Sequence, residues 1–441
     1  VPRASHLLSG ALVSAAWLAL AGGVVAAPGW GAAETLAGPA PGAMSADVAL
    51  NPGGAALVTW SMEGSPSGAA TGGGVMARWR STDGSWGPAE RVSGTPPLPQ
   101  AIARPRAALA SDGSATVTWS AFDAYRAHTP SALGAPEANW SDAPGLVGGD
   151  RCEPATELAA DAAGDVAAAF VRGCVSGPPQ VGVALLQAGA RSWRELEPPL
   201  RGGPDSPGSR EPAVAMAPDG RILLAVTEGR GTVRALLRPA GGGRWSASRA
   251  LSTGGGGRPR AALDAAGRPI VVWVRRARGR AVVEAASATG RGAWSAPVGL
   301  GRSTAGGSPG LAVAPDGTAT VVWLGPGRRV RAAVRRPGRT WSAPVGLSGP
   351  GARSPEVRTG AGGETVVVWE GAGGVVAAVS RSSAGGWSAT HGLSAPGAAQ
   401  PRVAVGARGE ALAVWSRRTR EGTILESAAR GSGSAAAAGV G

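Results

Sequence analysis

The chain runs to 441 residues, more than one ordinary hydrophobic core holds, so several domains or one repeat array are expected. Glycine (73) and proline (36) abound, but 16 tryptophans and frequent Val/Leu/Ile runs exclude a disordered, low-complexity chain. All 43 basic side chains are arginine against 29 carboxylates, a net charge of +14, with no metal-ligand spacing or nucleic-acid module beside them.

Residues 1–27 read as an export signal. Arg3 and His6 form a short polar start, LLSGALVSAAWLALAGGVVAA is the apolar stretch, and small residues precede Pro28. The alternative is a retained anchor, since such a stretch just spans a bilayer, but its Ala- and Gly-rich character favours cleavage. No second apolar span follows, so no stable membrane span is expected once the signal is removed. The mature protein is expected to be extracellular or cell-wall associated.

The first element after the signal is a strand, GWGAAETLAG, which parallels SWGPAERVSG at 85–94. Two signals then recur along the chain. One is a glycine six residues before an aromatic or apolar residue that closes a β-branched run. It occurs at Gly54/Trp60, Gly113/Trp119, Gly164/Phe170, Gly220/Val226, Gly267/Trp273, Gly317/Trp323, Gly363/Trp369 and Gly409/Trp415. A polar or small residue precedes each glycine, often Asp, as a tight hairpin turn with positive φ demands. The other is a tryptophan followed by small residues and a Leu or Val, at Trp30, Trp86, Trp140, Trp193, Trp245, Trp294, Trp341 and Trp387. With one more strand between the signals, each copy spells four short strands in roughly 46 to 59 residues, the size of a propeller blade.

Order at the two ends decides the architecture. The chain begins with a lone fourth strand and finishes with three, the last being TILESAA at 423–429. Pairing the two ends closes a ring and covers both edges. The expected fold is all-β: a single closed β-propeller over residues 28–430 with eight four-stranded blades, followed by a disordered Gly/Ser/Ala tail at 431–441. A seven-bladed ring with one irregular copy is the alternative, because copies three and four lack the hairpin tryptophan. Periodic placement assigns the tryptophans to packing between blades.

Candidate ligand-binding residues lie in the segments that do not repeat. In a propeller, the loop entering each blade and the loop between its second and third strands open on one face. The entering loops place Arg104, Arg106, Arg151, Arg210, Arg258, Arg260, Arg353 and Arg402 there, with Glu153, Glu211 and Glu356 among them. SAFDAYRAHTPSALGAP (120–136) reads as the longest second-to-third loop and adds Asp123, Tyr125, Arg126 and His128. Arg104, Arg106, Arg258 and Arg260 join those four as the ligand-binding set. Cys152 and Cys174 flank a strand–turn–strand segment centred on 163, where a cross-hairpin disulfide is expected. No catalytic set, metal site or cofactor is expected: Ser308 in GGSPG lacks the helix and paired histidine of a nucleophile elbow.

Charge is uneven along the chain. Residues 1–220 carry 13 arginines and 19 carboxylates, whereas residues 221–441 carry 30 and 10. The basic C-terminal half would attract anionic polysaccharide or cell-wall polymer rather than nucleic acid. The protein is expected to act as a monomer.

The recurring Asp-Gly turn and tryptophan resemble bacterial secreted propellers of the sialidase superfamily, at the level of the fold. The Asp-box of that superfamily, Ser-x-Asp-x-Gly-x-Thr-Trp, is not met; STDGSW at 81–86 is too short between Gly84 and Trp86. The expected function is a non-catalytic binding module for glycan, cell-wall polymer or protein. A sialidase-like glycan hydrolase using the same loop face, with Asp123 and Tyr125 among its residues, is the alternative.

Overall fold

The computed structural model describes residues 29–431, apart from 41, 43, 63–72, 94–100, 123–126, 145, 147–156, 162, 173–178, 198–199, 201–208, 289–292 and 305. The signal, the tail and both cysteines lie outside the described residues. Among those described, no helix is long and apolar enough to cross a membrane.

Eight antiparallel sheets follow one another along the chain. Blade 1 comprises Ala46–Leu50, Ala56–Met62, Gly74–Arg80 and Trp86–Arg91. The inner strands of blades 2 to 7 are Ala101–Leu109, Glu157–Ala160, Ser209–Met216, Gly256–Leu263, Gly310–Val313 and Arg353–Thr359. Blade 8 takes Ala398–Val405, Ala411–Arg418 and Thr423–Arg430 from the end of the chain. Its outer strand is Glu34–Ala40, which pairs antiparallel with Thr423–Arg430, and Trp30 adds a bridge to Arg430. Each inner strand packs beside the next, and that of blade 8 packs beside that of blade 1. The ring is closed, and the eight-bladed expectation holds.

Local chemistry explains the repetition. All eight predicted turn glycines have positive φ, from +69° at Gly267 to +94° at Gly54. At Gly54 the amide donates to Asn51 O at 3.0 Å, while Asn51 N donates to Ala55 O at 3.0 Å. That is a three-residue hairpin in which a left-handed residue completes the turn, a conformation glycine adopts without a Cβ clash. Each turn leads into a strand buried on both faces, and each strand carries its signal aromatic or valine inward. Trp60, Trp119, Phe170, Val226, Trp273, Trp323, Trp369 and Trp415 are all buried.

The apolar clusters lie chiefly between blades. Trp323, for example, sits among Ile270, Val272 and Val283 of blade 5 and Val321 and Ala333 of its own blade. Each such indole removes ~150–250 Å² from water, so the ring is held by side-to-side packing of wedges. Two buried indoles also share a polar arrangement that the sequence reading did not anticipate. Trp273 Nε1 donates to Glu284 Oε2 at 3.0 Å and Trp415 Nε1 to Glu426 Oε2 at 2.8 Å. Arg275 and Arg417, two residues beyond each tryptophan, bind the same carboxylates.

Two expectations need correction. The segment 120–136 is mostly strand rather than loop. The second strand of blade 2 runs on to Phe122, and Ala127–His128 and Ser131–Gly134 both pair back onto it. Pro130, which has no N–H to donate, separates the two pieces of what is otherwise one third strand. Only 123–126 remains between strands. The outer-strand tryptophans, moreover, are not fully buried wedges. Trp30 is buried, but Trp86, Trp140, Trp193, Trp245, Trp294, Trp341 and Trp387 are half-buried, each leaving part of its indole at the rim.

Replacing Glu426 by Ala would strand the Trp415 N–H and the Arg417 guanidinium. It is expected to destabilise the protein by about 1–3 kcal/mol, seen as a lower urea midpoint. Glu421→Ala, at an exposed turn, should leave the midpoint unchanged.

Candidate binding sites on the ring axis and the blade rims

One position on each inner strand, three residues before its end, meets its equivalents around the ring axis. The eight residues are Asp47, Arg106, Glu157, Ala213, Arg260, Gly310, Glu356 and Arg402. Charge alternates around this ring, interrupted only at Ala213 and Gly310. Two residues further on, seven blades carry alanine (Ala49, Ala108, Ala159, Ala215, Ala262, Ala312 and Ala404), and blade 7 alone carries an arginine, Arg358.

The charged groups engage one another across blade boundaries. Arg402 Nη1 donates to Glu356 Oε2 at 2.9 Å, and Arg358 Nη2 lies 2.8 Å from Glu356 Oε1. Asp47 Oδ2 accepts from the Ala107 amide of blade 2 at 3.1 Å. Arg260 Nη1 lies 3.6 Å from Glu157 Oε1, a pair that reaches past blade 4, where the ring position is only Ala213. Burial pushes the Asp47 carboxyl above its ordinary range, against the pull of Arg106 and Arg402. Burial acts on Glu356 in the same sense, but Arg358 and Arg402 outweigh it and hold that carboxyl below its ordinary range.

Five of the eight inner strands are bulged near their start. Arg104, Glu211, Arg258, Ser354 and Gln400 have φ between +47° and +55°, and a proline follows each. The ladder slips at every one of these points. A side chain with a Cβ is strained in that region, more so before proline, so the surroundings must hold it. Neighbouring blades do so. The Arg104 amide donates to Ser45 Oγ at 3.1 Å, and the Arg258 amide to Glu211 Oε2 at 2.8 Å; Thr227 Oγ1 donates to that same oxygen at 2.9 Å. Each bulge re-aims the residue two positions on, which is the axial-ring member, charged in four of the five blades and Ala213 in the fifth.

The structure therefore places Arg106 and Arg260 at the same level of the inner strands in blades 2 and 5, with Arg104 and Arg258 in the bulges that precede them. Asp123, Tyr125, Arg126 and the side chain of His128 lie outside the described residues, as do Arg151 and Glu153. Asp47, Glu157 and Arg358 were missed. Aligning the inner strands on their turn glycines would have found them, since the columns then read as charges above alanines.

At the outer rim a second kind of site recurs. Between the fourth strand of blade 1 and the end of blade 2 lies a cleft of about 710 Å³ lined by Glu90, Arg91, Asn139, Trp140 and Asp142. Trp140 Nε1 donates to Glu90 Oε2 at 2.9 Å, and one indole face stacks on Trp79 at 5.9 Å between ring centres. Between blades 3 and 4 a cleft of about 440 Å³ is lined by Glu195, Glu197, Arg238, Arg244 and Trp245. At the junction of blades 8 and 1, Trp86 Nε1 donates to Glu34 Oε2 at 3.0 Å, and the guanidiniums of Arg78 and Arg80 lie over its ring. An indole, a carboxylate and an arginine thus meet at three blade boundaries, whereas between blades 2 and 3 the Trp193 N–H donates to Ser131 Oγ at 3.0 Å.

The two axial carboxylates act oppositely on stability. The contribution of Glu356 is present above the unfolded value near 4.5 and is lost as pH falls through its lower folded value. Asp47, raised above 3.8, increasingly opposes folding as pH climbs from there through its folded value. Glu356→Gln is expected to lower the melting temperature at neutral pH, with the deficit shrinking below about pH 4. Asp47→Asn, whose amide oxygen still accepts from Ala107, is expected to hold or raise it at neutral pH. Thermal melts across the acid-to-neutral range check both.

No family model and no curated protein matches the chain. Among solved structures, a lectin from Burkholderia pseudomallei superposes with a TM-score of 0.53 at 15% identity, over 79% of this chain and 98% of that one. The Aleuria aurantia lectin, a six-bladed β-propeller, gives 0.40 at 12% identity, over 80% and 96%. An α-L-arabinofuranosidase of Fusarium graminearum gives 0.41 at 14%, over 60% and 87%. The likeness to the first is one of fold: this chain is a β-propeller.

Proposed function

We propose that the protein is a secreted, non-catalytic carbohydrate-binding propeller. The observation that carries this reading is the grouping of half-exposed indole, carboxylate and arginine at the rim of three blade junctions, two of them opening into clefts. An exposed indole face offers an apolar platform to the C–H face of a sugar ring, while carboxylate and guanidinium bond its hydroxyls. The sharing of a fold with a bacterial lectin supports it. A hydrolase would need carboxylates free to act on a substrate, whereas Glu356 is held between two guanidiniums.

The polymer bound is an acidic one, from the cell wall or its surroundings. The second-to-third-strand turns of blades 5, 6 and 8 expose Arg278, Arg280, Arg328, Arg329, Arg418 and Arg420 on the face where the inner strands begin. Such a half-face attracts a polyanion through a field that salt screens.

A glycan and cell-wall screen on the mature chain should detect binding that Trp140→Ala weakens by about tenfold or more, the worth of an aromatic anchor. Unchanged binding in that variant would exclude the rim cleft. On an immobilised polygalacturonate column, retention should fall steeply as salt rises; salt-independent elution would remove the acidic-polymer reading.

A further inference from the structure

The third strands of five blades end on an arginine at one register position, opposite the first residue of the second strand: Arg80, Arg238, Arg335, Arg381 and Arg430. Four of the five have compensation for their charge. Arg430 Nη1 donates to Glu364 Oε1 at 2.7 Å, and Arg335 Nη1 to Ser287 Oγ at 2.6 Å with the Asp264 carboxylate also in electrostatic reach. Asp316 acts on Arg381, while Arg80 acts on Asp83 and lies over the Trp86 ring at 5.8 Å. Arg238 has none of this. It is 6% exposed, and among the described residues its guanidinium has no hydrogen-bond or ion-pair partner. Burial, and then the like charge of Arg194, hold its pKa below the ordinary arginine range. A cation kept from water without an anion is costly, and the cost is relieved when an anion arrives.

Arg238 lines the cleft of about 440 Å³ between blades 3 and 4, together with Arg244 and Trp245. That volume is in the range of small-molecule sites. The loop that follows it, PAGGGRW at 239–245, is one residue longer than its counterparts ending at Trp86, Trp341 and Trp387. Gly241, Gly242 and Gly243 take φ of +68°, +96° and +114°, and a Cβ at Gly242 would stand 3.3 Å from Arg238 Nη2. The glycine loop therefore passes directly over the guanidinium, and Ser246 ties its far end back: Leu237 N donates to Ser246 Oγ at 3.0 Å and Ser246 N to Leu237 O at 2.7 Å. Trp245 is half-buried against the cluster that holds Leu196 and Leu236, which leaves part of its indole for a sugar ring. Glu195 and Glu197 are exposed and each is already engaged, but a carboxylate has acceptor sites to spare for hydroxyls. The cleft between blades 1 and 2 has the opposite balance. There Glu90, Glu137 and Asp142 stand against Arg91, whose Nε and Nη2 donate to the Ser93 and Gly73 carbonyls.

We propose that the cleft between blades 3 and 4 selects an acidic sugar, its anionic group pairing with Arg238 beneath the glycine loop and its ring lying on Trp245. This deepens the carbohydrate reading, on which it rests, by naming the sugar class of one rim cleft and the residue that reads it. A guanidinium offers a planar fork of donors that matches a carboxylate or a sulfate ester, so a uronate and a sulfated sugar are the two sources of the anion. Arg244, exposed on the cleft wall, adds a field that draws the anion in.

The test is titration of the full chain with sodium D-galacturonate, D-galactose 6-sulfate and D-galactose at constant ionic strength, followed by calorimetry and ligand-observed NMR. At least one acidic sugar should bind about tenfold or more tighter than galactose, the worth of a charge-assisted hydrogen bond. Whichever acid binds identifies the source of the anion. Arg238→Met should abolish the preference and also raise the melting temperature, because it removes an unpaired buried charge; a merely structural arginine would lower it on replacement. Trp245→Ala should weaken every sugar that binds. Since the guanidinium is buried, the preference should persist at the salt concentration that elutes polygalacturonate from the column. Failure of both acids to bind, equal binding of galactose, or a preference that survives Arg238→Met or vanishes in that salt would overturn the acid site. So would indifference to Trp245→Ala or a lower melting temperature in Arg238→Met. The broader rim reading fails separately, by unchanged glycan binding in Trp140→Ala.

Discussion

A sheet edge is an unfinished row of donors and acceptors, and everything in this ring depends on how the last such edge is completed. Glu34–Ala40 supplies the fourth strand of blade 8 from the opposite end of the chain. Without it, Thr423–Arg430 would present a bare edge, and the inner strands of blades 8 and 1 would have no covalent route holding them side by side. The closure ties together two chain segments separated by almost the whole sequence. Trp30, buried among Val366, Val376 and Trp415, places a large apolar side chain at the seam. The axial charges and rim clefts both depend on that closure, because both are made from neighbouring blades.

The two families of tryptophan divide the work by depth. Those closing the second strands are sealed between sheets and hold the ring. Those beginning the outer strands, Trp30 excepted, are only half-buried, as with Trp341, which lies against the cluster shared by blades 5 and 6 while Arg335 covers its ring at 5.3 Å. Where a carboxylate rather than a backbone group takes the indole N–H, as at Trp86 and Trp140, the rim acquires polar chemistry without losing its packing. The same residue type therefore serves cohesion in one column and surface chemistry in the other.

Much of the architecture was legible because glycine and tryptophan are each demanded by one physical circumstance. A left-handed turn needs Gly54 or Gly409, and a wedge between sheets needs an indole, so their spacing revealed blade number and closure. The third strand of blade 2 was not legible, because Pro130 and the polar residues around it imitate a loop while the backbone pairs on either side. The axial ring escaped notice for a different reason. Asp47, Glu157 and Arg358 are ordinary surface residue types in the linear chain, and only the side-by-side packing of the inner strands around the ring puts each beside a charged strand of another blade. Arg106 and Arg260 were found as members of a basic rim, but their significance lies in which carboxylate each faces.

Alternation of charge around a closed circle has a consequence for the size of the circle. Removing blade 1 from this ring would set Arg402 beside Arg106, and removing blade 8 would set Glu356 beside Asp47. Either loss brings like charges together in a partly buried place, where their repulsion is poorly screened. Packing alone would let a propeller of similar blades gain or lose one with modest adjustment of the wedge angle. Here the axis keeps a parity around the seam: the charged blades that meet there can be removed only in pairs, whereas the neutral positions at Ala213 and Gly310 impose no such rule.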